Sequence, residues 1–292
     1  MPELPDIALY VQRSRERLEG QVLRRLRVLS PFLLRTALPP IAGAEGRRVV
    51  GVHHLGKRVV LALESDLWLV IHLMIAGRLR WIVPPARPPA RISLALLEFD
   101  AGTLVLTEAG SQRRASLHCV GSTEALAALD AGGLDVLATD ALSFGARLRS
   151  ENHTLKRALT DPRLLSGIGN AYSDEILHRA RLSPLALTRS LGDEGMQRLF
   201  DATREVLTEW TTRLAAESPG WPEKVTAFHP QMAVHGRYGQ PCPVCASPVQ
   251  RIVHADNECN YCARCQTGGR LLADRALSRL LRASWPKHID EL

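Results

Sequence analysis

Cys242-Pro243-Val244-Cys245 and, sixteen residues further on, Cys262-Ala263-Arg264-Cys265 decide how the last part of this chain folds. Each Cys-x2-Cys turn brings two sulfurs together, and a hairpin between the turns completes a tetrahedron of thiolates. A gap of about 15–20 residues between the pairs is that of four-cysteine zinc sites. Four thiolates fill the coordination sphere, so Cys242, Cys245, Cys262 and Cys265 are expected to hold one structural Zn2+ rather than a catalytic one. Cys259 also makes a Cys-x2-Cys with Cys262, but its use would leave only thirteen residues between the pairs. It reads as a free thiol, and Cys119, in a predicted strand, as a small buried hydrophobe.

Upstream of the cysteines the pattern is helical over 151–216, with breaks at Asp161-Pro162, Gly167–Gly169 and Ser183-Pro184. Leu164-Leu165-Ser166-Gly167-Ile168-Gly169-Asn170 leads into a helix. Gly167 and Gly169 let the backbone turn sharply and point amide N–H groups at an anion, where the positive end of the following helix adds to the field. Asn170 can add a side-chain hydrogen bond, and Lys156 on the preceding helix can reach the same strand of a nucleic acid. An ordinary helix hairpin with packing glycines reads equally well from this segment alone.

Between 22 and 120 the pattern changes to short Val-, Leu- and Ile-rich runs at 49–54, 58–63, 67–73, 78–83, 92–99 and 103–107. Breaks such as Glu64-Ser65-Asp66 and Asp100-Ala101-Gly102 are hairpin grade, so a sandwich or barrel is expected. A helix over 5–19 precedes the strands and a short one near 122–131 follows them. The expected organisation is α+β with two domains: an N-terminal β-sandwich over 1–132, a linker over 133–150, a helical domain over 151–235, a zinc finger over 236–270 and a basic helical extension over 271–292.

Hydrophobic residues make up 46% of the 292 residues and the formal charge is +7, a globular balance that leans toward polyanionic partners. No apolar run is long enough to span a membrane, and Met1-Pro2-Glu3-Leu4-Pro5-Asp6 lacks the cationic and apolar regions of a signal peptide. A reducing, cytoplasmic and nucleoid-associated setting is expected, in which clustered cysteines bind metal.

Pro2 carries the chemistry of the amino terminus. Removal of Met1 would expose a secondary amine, whose α-amino pKa near 7.7–8.0 leaves part of it neutral and nucleophilic. Glu3 lies beside it and can shuttle protons. Lys57, in Leu55-Gly56-Lys57-Arg58, can project an ammonium from a turn into a cleft. The same residues also suit a rigid helix lead-in and a solvated strand-end lysine.

Taken together, the chain resembles the formamidopyrimidine-DNA glycosylase / endonuclease VIII family from Pro2 to about Gln266. The marks are Pro2-Glu3-Leu4-Pro5, Gly56-Lys57, the run Gly167-Ile168-Gly169-Asn170-Ala171-Tyr172-Ser173-Asp174-Glu175, and the four-cysteine finger introduced by Val234-His235-Gly236-Arg237. The resemblance implies a β-sandwich and a helix–two-turn–helix domain with a zinc finger, acting as a monomer on double-stranded DNA that carries damaged bases or abasic sites. The DNA would be held bent between the domains with the damaged base flipped out. It implies a bifunctional glycosylase and abasic-site lyase of base excision repair, with Pro2 as Schiff-base nucleophile, Glu3 as general acid/base and Lys57 as a catalytic or phosphate-clamping cation. Asn170, Gly167, Gly169, Lys156, His72, Arg113, Arg114, Met74 and Ile75 are the DNA-binding candidates.

Several positions depart from the family pattern. Asp6 stands where the family usually has Glu. The base-stack wedge reads Met74-Ile75, and the Phe of the partner loop is missing from Gly110-Ser111-Gln112-Arg113-Arg114-Ala115-Ser116. Asn257 replaces the fingertip Arg, with Arg264 or Arg270 as substitutes. The chain runs 27 residues past Cys265, where Arg275, Arg279 and Arg282 lie opposite Leu277, Leu280 and Leu281. The leucines would dock this helix and the arginines face DNA. Two other readings stay open: a damaged-DNA-binding protein without catalysis, and a lyase acting mainly on abasic sites. The loop 215–229, with Trp221, falls where the family often reads the flipped base.

Overall fold

The computed structural model describes residues 1–110, 112–225, 228–254, 257–273, 279–280 and 286–291. The chain forms two compact units, Met1–Ala131 with Trp210–Thr226, and Gly132–Glu209 with Ala227–Leu292.

The first unit opens with helix α1 (Leu4–Leu18). Pro5 sits in its first turn, where no intrahelical N–H is required. Ile7, Tyr10, Val11 and Leu18 line one stripe and enter the core. Eight strands follow: β1 (Arg25–Val28), β2 (Val49–Leu55), β3 (Arg58–Leu63), β4 (Leu67–His72), β5 (Gly77–Ile82), β6 (Ser93–Phe99), β7 (Gly102–Glu108) and β8 (Ser116–Val120). They pair as two four-stranded antiparallel sheets, in the orders β1-β6-β7-β5 and β2-β3-β4-β8. Alternation does the rest. Val59, Leu61, Leu69, Ile71 and Leu117 point from the second sheet into the same core as Leu79, Leu97, Leu104 and Leu106 of the first. On the outer face of the second sheet Val60, Val70 and Val120 are covered by Leu126 and Leu129, the former on helix α2 (Thr123–Ala127).

The second unit contains α3 (Ala141–Ser150), α4 (Leu155–Thr160), α5 (Asn170–Arg179) and most of α6 (Asp193–Glu217). Its finger is a hairpin of β9 (Gln250–His254) and β10 (Asn257–Tyr261), followed by α7 (Ala263–Thr267).

Three expectations are corrected. Residues 133–150 are not a plain linker, because 141–150 form α3. Asp140 caps it by accepting from the Ser143 N–H at 2.8 Å, and Phe144 and Leu148, four apart, are buried. Phe144 packs on Phe200 with ring centroids 5.4 Å apart. Residues 210–226, expected within the helical domain, belong to the first unit instead. Trp221 packs on Tyr10 and Trp81, 6.0 and 6.3 Å between centroids, and its Nε1–H donates to the Leu79 carbonyl at 2.9 Å. The Arg13 guanidinium donates to the Ser218 and Ala215 carbonyls at 2.7 and 3.1 Å. The third concerns the tail. Residues 271–273 are not helical, and Leu271 and Leu272 pack with Tyr261 and Ile289. Leu280 is 77% exposed rather than docked, while Arg275, Leu277, Leu281 and Arg282 lie outside the described residues.

Candidate functional site

In the first unit the amino terminus, Lys57 and His72 come together. Pro2 and Glu3 are buried at the start of α1. The Glu3 N–H donates to the Asp6 carboxylate at 2.8 Å, closing the first turn. The two-residue turn Gly56-Lys57 joins β2 to β3, with Leu55 paired to Arg58 and Gly56 at φ 57°, where glycine carries no steric penalty. That turn holds the Lys57 ammonium in a half-buried place.

The electrostatics are those of a desolvated pocket. Burial pulls the chain's terminal ammonium below its usual value, helped by Arg78 and Lys57 and opposed by Glu3 and Asp6. Burial likewise lowers Lys57, against the attraction of Glu3. Burial pushes Asp6 up to about 7, with the Glu3 carboxylate adding to the rise and the Glu3 N–H opposing it. His72 falls to about 4, first through burial and then through Arg58, Lys57 and His118. An amine whose charged form is disfavoured, a carboxyl that titrates near neutrality and a desolvated cation thus share one neighbourhood.

Two loops carry the wedge candidates. Between β4 and β5, Met74 adopts φ 53° and Ile75 is 60% exposed. A Cβ on Gly77 would lie 2.2 Å from the Leu73 carbonyl oxygen, so only glycine closes this loop. After β7, the buried Glu108 carboxylate accepts from the Arg114 and Ala115 N–H groups, both at 3.0 Å. Arg113 and Arg114 are left exposed on its rim. Their side chains donate to the Arg91 carbonyl and to Gln112 at 2.9 and 2.7 Å.

In the second unit the Gly167–Asn170 turn is built, with Gly167 at φ 82° and Gly169 as N-cap of α5. Its side chains, however, face the protein. Asn170 Nδ2 donates to the Glu258 carbonyl on β10 at 2.8 Å. Lys156, expected to reach DNA, is turned inward: Nζ donates to the Asn170 carbonyl at 2.7 Å and pairs with the buried Asp174 at 2.5 Å. The other Asp174 oxygen meets His235 Nδ1 at 2.8 Å. Glu175, also buried, accepts from the Ala233, Val234 and His235 N–H groups at 2.7, 2.9 and 2.9 Å. Asp174, Glu175 and His235 were visible in the sequence only as parts of two motifs. Their shared task of holding the finger's root needs contacts about 60 residues apart.

The finger meets the zinc expectation. The four sulfurs lie within 4.8 Å of one another, with Cys242 and Cys265 3.9 Å apart and Cys245 and Cys262 3.3 Å apart. Zn–S bonds of about 2.3 Å in a tetrahedron need sulfurs about 3.8 Å apart, so the set fits zinc. Cys259 is outside it, and burial and Asp174 push its thiol up, as suits an inert cysteine. His178 adds a contact that the sequence did not announce: its Nε2 lies 3.3 Å from Cys242 Sγ. Burial first, then Arg179 and Arg181, lower His178 to about 4, so the ring is neutral and can present one N–H to the thiolate. Of the proposed fingertip substitutes, Arg264 pairs with Asp290. Among the described residues no helix is long and apolar enough to cross a membrane.

Three family models match the chain: the formamidopyrimidine-DNA glycosylase N-terminal domain over residues 1–115, its H2TH domain over 133–215, and a zinc finger found in FPG and IleRS over 239–268. With the cysteine geometry, the last of these establishes one structural zinc. A formamidopyrimidine-DNA glycosylase of Thermus thermophilus is 37% identical over 280 residues, covering 92% of this chain and 100% of that protein. One from Chloroflexus aurantiacus is 31% identical over 274 residues, covering 91% and 98%. The crystal structure of the MutM (Fpg) protein from Thermus thermophilus superposes with a TM-score of 0.77 at 34% identity, over 91% of this chain and 98% of that one. A Lactococcus lactis Fpg in complex with abasic-site DNA shares the fold, with a TM-score of 0.81 at 22% identity, over 91% and 99%.

Proposed function

We infer the function from a plain premise: this chain belongs to the formamidopyrimidine-DNA glycosylase family. It is a bifunctional DNA glycosylase and abasic-site lyase of base excision repair, acting on DNA that carries oxidised bases or abasic sites. The observation that carries the catalytic assignment is the desolvated amino terminus beside Glu3, Asp6 and Lys57.

After Met1 is removed, the Pro2 nitrogen is a secondary amine in a place that favours its neutral form. It attacks C1′ of the damaged nucleoside, and the C1′–base bond breaks as the base leaves with a proton. The attached amine then loses its proton and the C1′–O4′ bond opens, with O4′ taking up a proton, to leave an iminium between Pro2 and C1′. The iminium acidifies the C2′ proton, and its removal expels the 3′ phosphate by elimination. Glu3 moves the protons, and Lys57 steadies the negative charge on the phosphate or the leaving base. His72 takes the neighbouring phosphate as a neutral donor. The exposed Ile75, with Met74 behind it, fills the gap left by the flipped base, and Arg113 and Arg114 line the same opening. The Gly167 and Gly169 turn offers backbone N–H groups to the strand. Asn170 and Lys156 hold that turn to the finger, so Lys156 acts on DNA binding through position rather than contact.

The test is cleavage of duplexes with one oxidised purine, one oxidised pyrimidine or one abasic site, by chain whose intact mass shows loss of Met1. Base release followed by strand scission supports the reading. Tight lesion binding with no scission of any substrate, in wild type and Pro2→Gly alike, would replace it with a binding protein. Scission of the abasic duplex alone would reduce it to a lyase.

A further inference from the structure

One end of the second sheet's outer face gathers more basic groups than the reaction above uses. Arg58 on β3 is paired across to His72 on β4, and His72 to Ser116 on β8. Paired residues point to the same side of a sheet, so Arg58, His72 and Ser116 share a face with Val60 and Val70. His118, paired with Val70, lies on this face too, one step along β8. The Lys57 turn closes the same end.

These groups sit half-buried and oppose one another. Arg58 is lowered by burial, against the attraction of Asp130. His118 is lowered by burial and then by Arg58, with Arg35 adding to it. Arg58 Nε and His118 Nδ1 are buried without a hydrogen-bond partner, while a backbone hydrogen bond at Val70 supports the charged His118 ring against this lowering. Gathering like charges on a half-desolvated face with the Arg58 Nε donor left unpaired costs free energy, and the side chains involved are the ones that recognise phosphate oxygens. Strands are spaced about 4.8 Å apart and residues rise about 3.3 Å each along them, so the Arg58 and His118 backbones, three strands across and two residues out of register, are about 12 Å apart. That is wider than one phosphate already engaged by Lys57 and His72.

We propose that Arg58 and His118 form an anion site that takes a further backbone phosphodiester of the DNA strand, extending the clamp begun by Lys57 and His72. The proposal rests on the DNA-acting function inferred above. The guanidinium supplies a planar fork and the imidazole one donor, and Ser116 stands beside them as a hydroxyl donor.

The experiment is anisotropy titration of a duplex carrying a non-cleavable abasic analogue, for wild type, Arg58→Gln, His118→Gln and Arg58→Lys, across about 50–200 mM KCl. Each lost phosphate contact removes about 0.9 from the slope of log K against log salt. Arg58→Gln and His118→Gln are expected to bind several-fold more weakly at low salt and to flatten the slope. Arg58→Lys, which keeps the charge, is expected to retain the wild-type slope and guards against a fold defect, with thermal midpoint and zinc content measured alongside. Unchanged affinity and slope in both Gln variants would overturn the proposal. So would inorganic phosphate, at matched ionic strength, raising the wild-type midpoint and not the variants' while the DNA slope stays put, since the site would then serve a free anion. Because wild type is assayed for cleavage in parallel, failure of the enzymatic reading shows as an inactive wild type. Failure of this proposal shows as an active wild type with indifferent variants.

Discussion

The two regions that carry the family motifs spend their polar residues differently. Around the amino terminus, Lys57, Asp6, His72 and the terminal amine are desolvated and their charged forms disfavoured by burial. Around Gly167–Glu175, the buried polar groups are matched: Lys156 with Asp174, Asp174 with His235, Glu175 with three N–H groups, Asn170 with Glu258. Energy left unsatisfied in the first region is available for chemistry, and satisfaction in the second makes a rigid platform for the finger. A motif residue therefore does not announce whether it reacts or holds; its partners do.

The comparison breaks most sharply if stability and activity fail to separate. Lys57→Ala is expected to lower strand scission by about 100-fold or more while moving stability by less than about 1 kcal/mol, read by single-turnover kinetics and thermal melting. An equal loss of both would make Lys57 structural. Glu175→Ala reverses the order. It strands three buried N–H groups and is expected to destabilise the protein by about 3–5 kcal/mol, measured by denaturant unfolding. A stable Glu175→Ala protein would mean the nest is not what holds the finger's root.

Asp6 sharpens the contrast through pH. Its folded pKa of about 7 lies above the ordinary 3.8, so the folded state binds the proton more tightly. The stabilisation is complete below about pH 4 and is lost as pH rises through 7, a change of about 4 kcal/mol. Asp6→Asn should remove that slope from the stability profile between pH 4 and 7. A variant profile parallel to wild type would place Asp6 in water. The smallest effect is expected at His178. Replacing it with Phe removes a donor 3.3 Å from Cys242 Sγ and should weaken zinc retention about tenfold, followed by metal release to a chromogenic chelator. Unchanged release would leave the ring as packing alone.

Much of this was legible in the sequence where the signal is local. Sixteen residues between two Cys-x2-Cys turns define the finger, and period-two alternation with hairpin breaks marks the strands from 49 to 107. What escaped is set by distance along the chain. Residues 141–150 carry a cap and only two buried apolar positions, with Gly145 between them, so the short helix looks like a linker. Trp221 reads as a loop residue until it meets Tyr10 and Trp81. Lys156 looks like a phosphate ligand until Asp174, eighteen residues on, turns it inward. Arg58 and His118 belong to no motif, and only strand pairing puts them on one face.

The central claim is that residue 2 is the nucleophile, and covalent trapping locates it. Chain freed of Met1 is mixed with abasic-site DNA and borohydride, and the reduced complex is digested and mapped by mass spectrometry. The account predicts a stoichiometric DNA adduct on the Pro2 nitrogen, absent when Met1 is retained. An adduct on Lys57 or another lysine, or no adduct from a chain that still cleaves the DNA, would contradict it.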